Sequence, residues 1–510
     1  MERYEDKNTR VGAEVSDKTL SFELNGEISL PDYLGEVSRL LWVRPTVLPP
    51  AKFLNGQNAE FSGRVCYQAL YADPGGALFS ATGEDTYSFS VPTEAESTSM
   101  LTAQVVPDAV VGRVAAPRRI TVRCRLHAHV CGYAEKNIGT VLPAEVEGRV
   151  CRLGAPQQSG RFLAAVGDAV ELYDEIDVDT AEPVRVITAR GEVFLPEVTA
   201  VADAVSCRGE VIVTLLCCRT GAEGGENGEG EHQAPYTITR RLPLACEVPL
   251  DEVSSGCEVR AMVTVSEVRA VAEEGKITVA LRAVPQVEAA CLQLACYTKD
   301  LFMPDMQAEC RYTEARVWQP RGASNRHFSV LGSFTPAELG MPSQASIVDA
   351  CAEAEVRERS TNGKSTLLVG EMHCHILYQH GKEYGVCEGA VPFRAESTGD
   401  FETLSTTSNV PLCHVQYEGE RVRIEGEVVI AMRASSFTTV APVSEARFLE
   451  GGSPRGCDLE LCYPTAGDTL WSVAKRYAVS PERIAAQNGI SDEDLEDATL
   501  LSSVHYLMIP

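Results

Sequence analysis

Over the first 440 residues, apolar and polar positions alternate in runs such as Ile120-Thr-Val-Arg-Cys-Arg-Leu126 and Val422-Arg-Ile-Glu-Gly-Glu-Val428. A period of two sends one set of side chains to a packed face and the other to water, so these runs predict antiparallel strands. Val, Ile and Thr are abundant in them, and Asn55-Gly56 and Asn362-Gly363 are tight-turn signals between neighbouring runs. No long stretch of this region carries helical periodicity. The units predicted are small antiparallel β-sandwiches.

The pattern recurs. Phe61-Ser-Gly-Arg-Val-Cys-Tyr-Gln-Ala-Leu-Tyr71 returns as Cys207-Arg-Gly-Glu-Val-Ile-Val-Thr-Leu-Leu-Cys217 and as Leu368-Val-Gly-Glu-Met-His-Cys-His-Ile-Leu-Tyr378, with Gly63, Gly209 and Gly370 spaced 146 and 161 residues apart. Each is followed by a segment ending in Val-Pro, at Pro92, Pro249 and Pro392. A third alternating segment then begins 28, 28 and 30 residues later, at Ile120, Ile277 and Val422. Between glycine and proline the second copy carries the acidic, glycine-rich stretch Gly221 to Glu231, expected in an exposed hairpin tip. Gly-x-Val-x-x-x-x-Leu-Tyr, followed by an acidic strand ending in Val-Pro, resembles the SPOCS (DUF3794) family of endospore-forming bacteria. The Leu30-Pro31-Asp32-Tyr33 segment is similar to that family's entry strand.

After a Gly- and Pro-bearing stretch, Leu449 to Gly456, the texture changes. Leu470, Val473, Ala474 and Tyr477 share one helical face behind Asp468 or Thr469 as N-cap. Ser480-Pro481 opens a second helix, Asn488-Gly489 can stop it in a left-handed conformation, and Tyr506 to Pro510 reads as a short strand. This βααβ order, with Gly-Asp-Thr-Leu-Trp and Val-Ser-Pro-x-x-Ile-x-x-x-Asn, is similar to the LysM module. The organisation expected is mainly β: an N-terminal tail 1–17, SPOCS-like units at 18–150, 165–290 and 295–440, a linker 441–460, and a LysM domain 461–510.

In LysM modules that bind N-acetylglucosamine polymers, the groove lies between the loop before the first helix and the loop after the second. The resemblance carries this onto Gly467, Asp468, Thr469 and Leu470 on one side and Asn488, Gly489 and Ile490 on the other. The usual approach to the last strand is replaced and lengthened in Leu495 to Tyr506. Trp471 is open to two readings, a docking residue or part of the module's core.

Composition narrows the function. With 45 basic against 72 acidic side chains the formal charge is -27, and no basic run or Arg-aromatic stripe occurs, so nucleic acid is not an expected partner. No window approaches the roughly 20 apolar residues of a bilayer span, so no transmembrane segment is expected. The mixed charges of Met1 to Lys7 are unlike a secretory signal, which predicts a cytoplasmic chain. The 18 cysteines are spread along the chain without a CxxC spacing and predict buried, reduced thiols; adjacent Cys217 and Cys218 point to opposite faces of a strand.

Candidate chemistry is thin. Gly363-Lys364-Ser365 has the core of a phosphate loop, but Glu358 stands where its first glycine belongs. His373 and His375, like His127 and His129, share one face of a strand, with Cys374 facing the core; two ligands do not make a metal site. There is no nucleophile elbow and no His-Glu-x-x-His, so neither an enzyme nor a cofactor is expected. Tandem SPOCS-like units ending in LysM resemble the SipL-type family of coat morphogenetic proteins of clostridial endospores. That resemblance implies a non-enzymatic adaptor on the mother-cell side of the forespore, docking through its LysM domain onto the basement-layer ATPase and other proteins of the spore coat. The alternative is peptidoglycan glycan binding, toward which the LysM region's three basic and seven acidic side chains offer little attraction for anionic wall polymers.

Overall fold

The computed structural model describes residues 9–142, 149–178, 183–219, 234–273, 275–304, 306–361, 365–398, 401–450, 459–491, 495–502 and 504–510. Alternation becomes strand almost throughout. The first unit contains β1 (Arg10–Ser29), β2 (Arg39–Val47), β3 (Ala51–Asn55), β4 (Asn58–Ala72), β5 (Leu78–Pro92), β6 (Leu101–Ala116) and β7 (Arg119–Asn137). Its last strand returns to its first, giving the order β1-β7-β6, while β2, β3 and β5 all pair with β4.

The second unit repeats this path with β8 (Cys151–Val166), β9 (Val170–Asp177), β10 (Val184–Val201), β11 (Ala204–Arg219), β12 (Tyr236–Pro249), β13 (Glu258–Glu273) and β14 (Lys276–Phe302). Its sheets are β13-β14-β8, with β9 on β14, and β10-β11-β12. After β15 (Met306–Tyr312) the third unit contains β16 (Ala315–Phe334), β17 (Ser346–Thr361), β18 (Ser365–His380), β19 (Glu383–Thr398), β20 (Thr403–Glu418) and β21 (Arg421–Val440), in sheets β16-β21-β20 and β17-β18-β19; β22 (Val443–Glu450) then pairs with β15. Within each unit the two sheets pack face to face. Val65 and Tyr67 meet Ile120 and Val122 in the first, Val211 and Val213 meet Ile277 and Val279 in the second, and Met372 and Cys374 meet Ile424 and Val428 in the third. Each such side chain contributes about 1.5–3 kcal/mol by leaving water.

The three glycines have a packing cause. A Cβ at Gly209 would lie 2.2 Å from the Phe194 carbonyl oxygen, and one at Gly370 would lie 2.3 Å from that of Glu355, each at a bulge in the outer strand; at Gly63 the obstacle is the Tyr87 ring, 2.5 Å away. A second bulge recurs between Pro107 and Ala109, Val265 and Glu267, and Asn409 and Leu412.

Several sequence-based boundaries need correction. β1 begins at Arg10, within the supposed tail, because residues 10–17 pair with the end of β7. The second unit's strands reach from Cys151 to Phe302, and β22 occupies much of the expected linker. The third Val-Pro is out of register: Gly63 and Gly209 face residues five before their prolines, Tyr87 and Leu244, whereas Gly370 faces Phe393, one beyond Pro392. The true equivalent of Pro92 and Pro249 is Thr398. Cys257 and Cys291 form a disulfide, contrary to the expectation of reduced thiols, because the β13–β14 pairing sets Cys257, just before β13, beside Cys291 in the middle of β14, with a Cα separation of 4.2 Å. Cys217 lies in the second unit's core and Cys218 in a cluster between units. The segment Gly221–Glu231 and the turn holding Asn362, Gly363 and Lys364 lie outside the described residues.

Register makes residues of the three units equivalent, and equivalent residues meet. Gly12, Gly160 and Trp318 each face the residue fifteen positions after Ile120, Ile277 and Val422, and β1, β8 and β16 touch there. A Cβ on Gly12 would lie 2.0 Å from the Gly160 carbonyl oxygen, and one on Gly160 would lie 2.3 Å from the Trp318 ring. Eleven positions after the same reference residues stand Cys131, Glu288 and Arg433. Arg433 Nη1 lies 3.0 Å from Glu288 Oε2, and Arg433 Nη2 donates to Cys131 Sγ at 3.0 Å. Arg260 holds both Glu288 oxygens at 2.8 Å. Five positions after the repeat glycines, the cross-strand partners are Arg44, Arg190 and Cys351. Arg44 pairs with Glu192 of the second unit, and Arg190 with Asp349 of the third. Seven positions after the glycines, Leu70, Leu216 and Leu377 share one fully buried cluster. The units are thus wrapped around a pseudo-threefold axis, with a central cavity of about 2020 Å³ lined by all three.

Candidate functional site

The C-terminal region is built on β23 (Glu460–Cys462), α1 (Leu470–Tyr477), α2 (Pro481–Asn488), α3 (Ala498–Ser502) and β24 (Leu507–Ile509), with β23 and β24 antiparallel. Thr469 caps α1 in a capping box with Ser472, and α1 stops at left-handed Ala478, φ 51. Ser480 caps α2, Pro481 occupies its first turn, and Gly489, φ 66, ends it. The residues that lengthen the approach to the last strand form α3, which sends Leu501 into the core, while Leu495 O accepts the Trp471 backbone N–H at 2.9 Å.

The expected groove residues divide sharply. Leu470 is fully buried, and Ile490 packs against the same core. Asp468 faces inward: Arg476 Nη2 donates to it at 2.5 Å, and Thr465 donates through N at 2.8 Å and Oγ1 at 3.0 Å. The Arg476 hydrogen bond leads in holding its carboxyl below the usual carboxylate range. Asn488 fastens α2 to β24, donating to Ile484 O at 2.8 Å and Met508 O at 2.7 Å and accepting from Met508 N at 2.7 Å. The Thr469 hydroxyl is engaged in the cap. Gly467 and Gly489 are exposed, both at positive φ, and a Cβ on either would meet nothing within 4 Å. The rim offered to a ligand is therefore glycine backbone, and Asp468, Leu470 and Asn488 hold the module together.

Trp471 is 5% exposed and belongs to a join between this module and the second unit. Its indole Nε1 donates to Asp300 Oδ2 at 2.9 Å, and its ring meets Phe302 edge-on at 5.1 Å. Lys475 Nζ reaches both Asp300 oxygens at 2.7 Å, and Lys299 reaches Glu496 at 2.7 Å. Leu153 and Phe302 of the second unit share the module's buried core. Burial pushes the Asp300 carboxyl up, but the hydrogen bonds from Lys475 and Trp471 outweigh it and hold the group below its ordinary value. The module is thus seated on the ends of β8 and β14. Nothing in the local pattern of Lys299-Asp300-Leu301-Phe302 signals the role, since the partners lie 171 residues away along the chain.

The paired histidines face the central cavity. His127 meets Ser21 at 3.0 Å and His129 meets Asp17 at 2.8 Å, while His373 lies 3.2 Å from Arg357 and His375 lies 3.3 Å from Glu388. Among the described residues, no group of three or more His, Cys, Asp or Glu side chains is arranged to hold a metal ion, and no helix is long and apolar enough to cross a membrane.

Residues 465–496 match the LysM domain family. The chain therefore carries a C-terminal LysM domain, a fold used for carbohydrate and peptidoglycan binding or for protein contacts, on a mainly β, antiparallel scaffold. No curated protein and no solved structure matches the chain.

Proposed function

We propose that this protein is a non-enzymatic assembly adaptor of the bacterial spore coat, acting on the mother-cell, cytoplasmic side of the forespore, with SPOCS-like units as its three β-units. On this reading, the exposed surface of the LysM domain engages the basement-layer ATPase, and the β-units offer surfaces to other coat proteins. The structural observation that supports the reading is the Asp300 clamp. It holds the LysM domain in one orientation on a large rigid platform, which suits a component that must present a docking surface at a fixed angle to a lattice. The adaptor role itself rests on the sequence resemblance. Glycan binding is the second reading, favoured by the LysM match and by the open backbone at Gly467 and Gly489.

The test offers full-length protein to purified basement-layer ATPase polymer and to purified peptidoglycan in parallel. Sedimentation with the polymer alone supports the adaptor. Sedimentation with peptidoglycan alone replaces it with the glycan-binding reading.

A further inference from the structure

The third unit also contains a cysteine pair in contact. Cys374 on β18 and Cys413 on β20 belong to its two opposed sheets, and their sulfurs are 3.5 Å apart. The bulge between Asn409 and Leu412 makes this possible. Before it Leu404, and within it Val410, supply inward side chains; after it the parity changes, so that Cys413 and Val415 pack on the core. The two residues differ in exposure: Cys374 is fully buried, whereas Cys413 is half-buried. They also differ electrostatically. The contact with Cys374 leads in lowering the Cys413 thiol below its ordinary range, aided by Arg190 of the second unit and opposed by burial and by Asp349, while the same contact and burial push the Cys374 thiol up.

We infer that Cys374 and Cys413 are a dithiol site that a low-molecular-weight disulfide oxidises to a bond joining the two sheets of the third unit. Cys413, as thiolate, attacks one sulfur of the small disulfide; a new S–S bond forms and the other half leaves as a thiolate. Cys374 then gives up its proton and attacks the Cys413 sulfur, expelling the second small thiol. Two protein thiols and one small disulfide become one protein disulfide and two small thiols, with two electrons passing to the small molecule. The bond ties together residues 39 apart in sequence and in different sheets, so the oxidised unit resists separation of its layers. The Cys257–Cys291 disulfide lies within a sheet and does not tie opposed layers.

The experiment uses the reduced full-length chain, incubated with oxidised glutathione and analysed by intact mass and non-reducing peptide mapping. The expected result is a Cys374–Cys413 linked peptide, together with a rise in the thermal midpoint that the Cys413→Ser variant lacks. Cys374→Ser should trap a stable glutathione adduct on Cys413, and Cys413→Ser should show neither link nor adduct in the third unit. The inference is overturned if wild-type protein, with its circular dichroism unchanged, retains both thiols free while Cys257 and Cys291 oxidise. It is equally overturned if Cys374 links instead to Cys387 or Cys351. The wild-type arm decides the matter even where a variant folds poorly.

Discussion

Trp471 and Asp300 are joined by a 2.9 Å hydrogen bond from indole to carboxylate, and this contact makes the LysM domain and the second β-unit one body. Asp300 also accepts from Lys475 and from the Leu301 backbone N–H at 2.9 Å. Asp300→Ala therefore removes a charged acceptor from several donors and should cost about 2–3 kcal/mol at this join. Hydrogen exchange should show α1 losing protection while the β-units keep theirs; unchanged protection in α1 would count against the clamp.

The clamp should also respond to acid. Because the folded Asp300 carboxyl titrates below its unfolded value, its contribution is complete above that ordinary value and fades as pH falls through the lowered one. Hydrogen-exchange protection of α1, corrected for the intrinsic exchange rate, should fall on acidification below about pH 4. Asp300→Asn should remove that pH dependence.

On the pseudo-threefold axis, burial raises the Glu288 carboxyl, but the charges of Arg260 and Arg433 outweigh it and hold the group at about 2. Glu288→Gln leaves two buried guanidiniums without their counter-charge and should destabilise the chain by about 3–5 kcal/mol. In wild type the stabilisation from Glu288 is complete above its ordinary value of 4.5 and is lost as pH falls toward about 2. Denaturant melts across that window should show a steeper decline for wild type than for the Gln variant.

Gly160 lies beneath the Trp318 ring, and Gly160→Ala should cost about 1–3 kcal/mol through overpacking. Part of that cost should disappear in a Trp318→Leu background, giving a coupling above about 0.5 kcal/mol in a double-mutant cycle. Additive behaviour would show that the alanine is accommodated by backbone movement away from the tryptophan.

Within the LysM domain, Asn488→Ala breaks three hydrogen bonds to Ile484 and Met508 and should lower the domain's stability by about 2–3 kcal/mol. Ligand binding should fall only in proportion to the unfolded fraction. A loss of binding by fully folded protein would return Asn488 to the docking surface.

Much of this architecture was legible in the chain because its causes are local. Alternation fixed the strands, the recurring glycines marked places of close approach to the central strand, an outer-strand bulge at Gly209 and Gly370 and the Tyr87 ring at Gly63, and Ser480-Pro481 and Asn488-Gly489 bounded α2 as their chemistry requires. The third Val-Pro misled because a dipeptide match carries no register; only the cross-strand partner of Gly370 reveals the six-residue offset. Motif spacing likewise leaves open which of the expected groove residues meet a ligand. A motif reports residue types at a spacing, and in this chain Asp468 and Asn488 hold a turn and a strand in place, whether or not they touch a ligand. The Asp300 contact and the axial layers depend on residues more than a hundred positions apart, for which one sequence offers no signal.

The layer formed by Cys131, Glu288 and Arg433 has a consequence for why three similar units are carried on one polypeptide. Three identical subunits would repeat every axial side chain three times, so an acid there would face two acids and an arginine two arginines. Covalent linkage lets each copy be chosen separately. The axis can then hold an acid, a base and a neutral thiol, or two glycines beneath one tryptophan, and the seating order is written into the chain instead of being left to chance encounter.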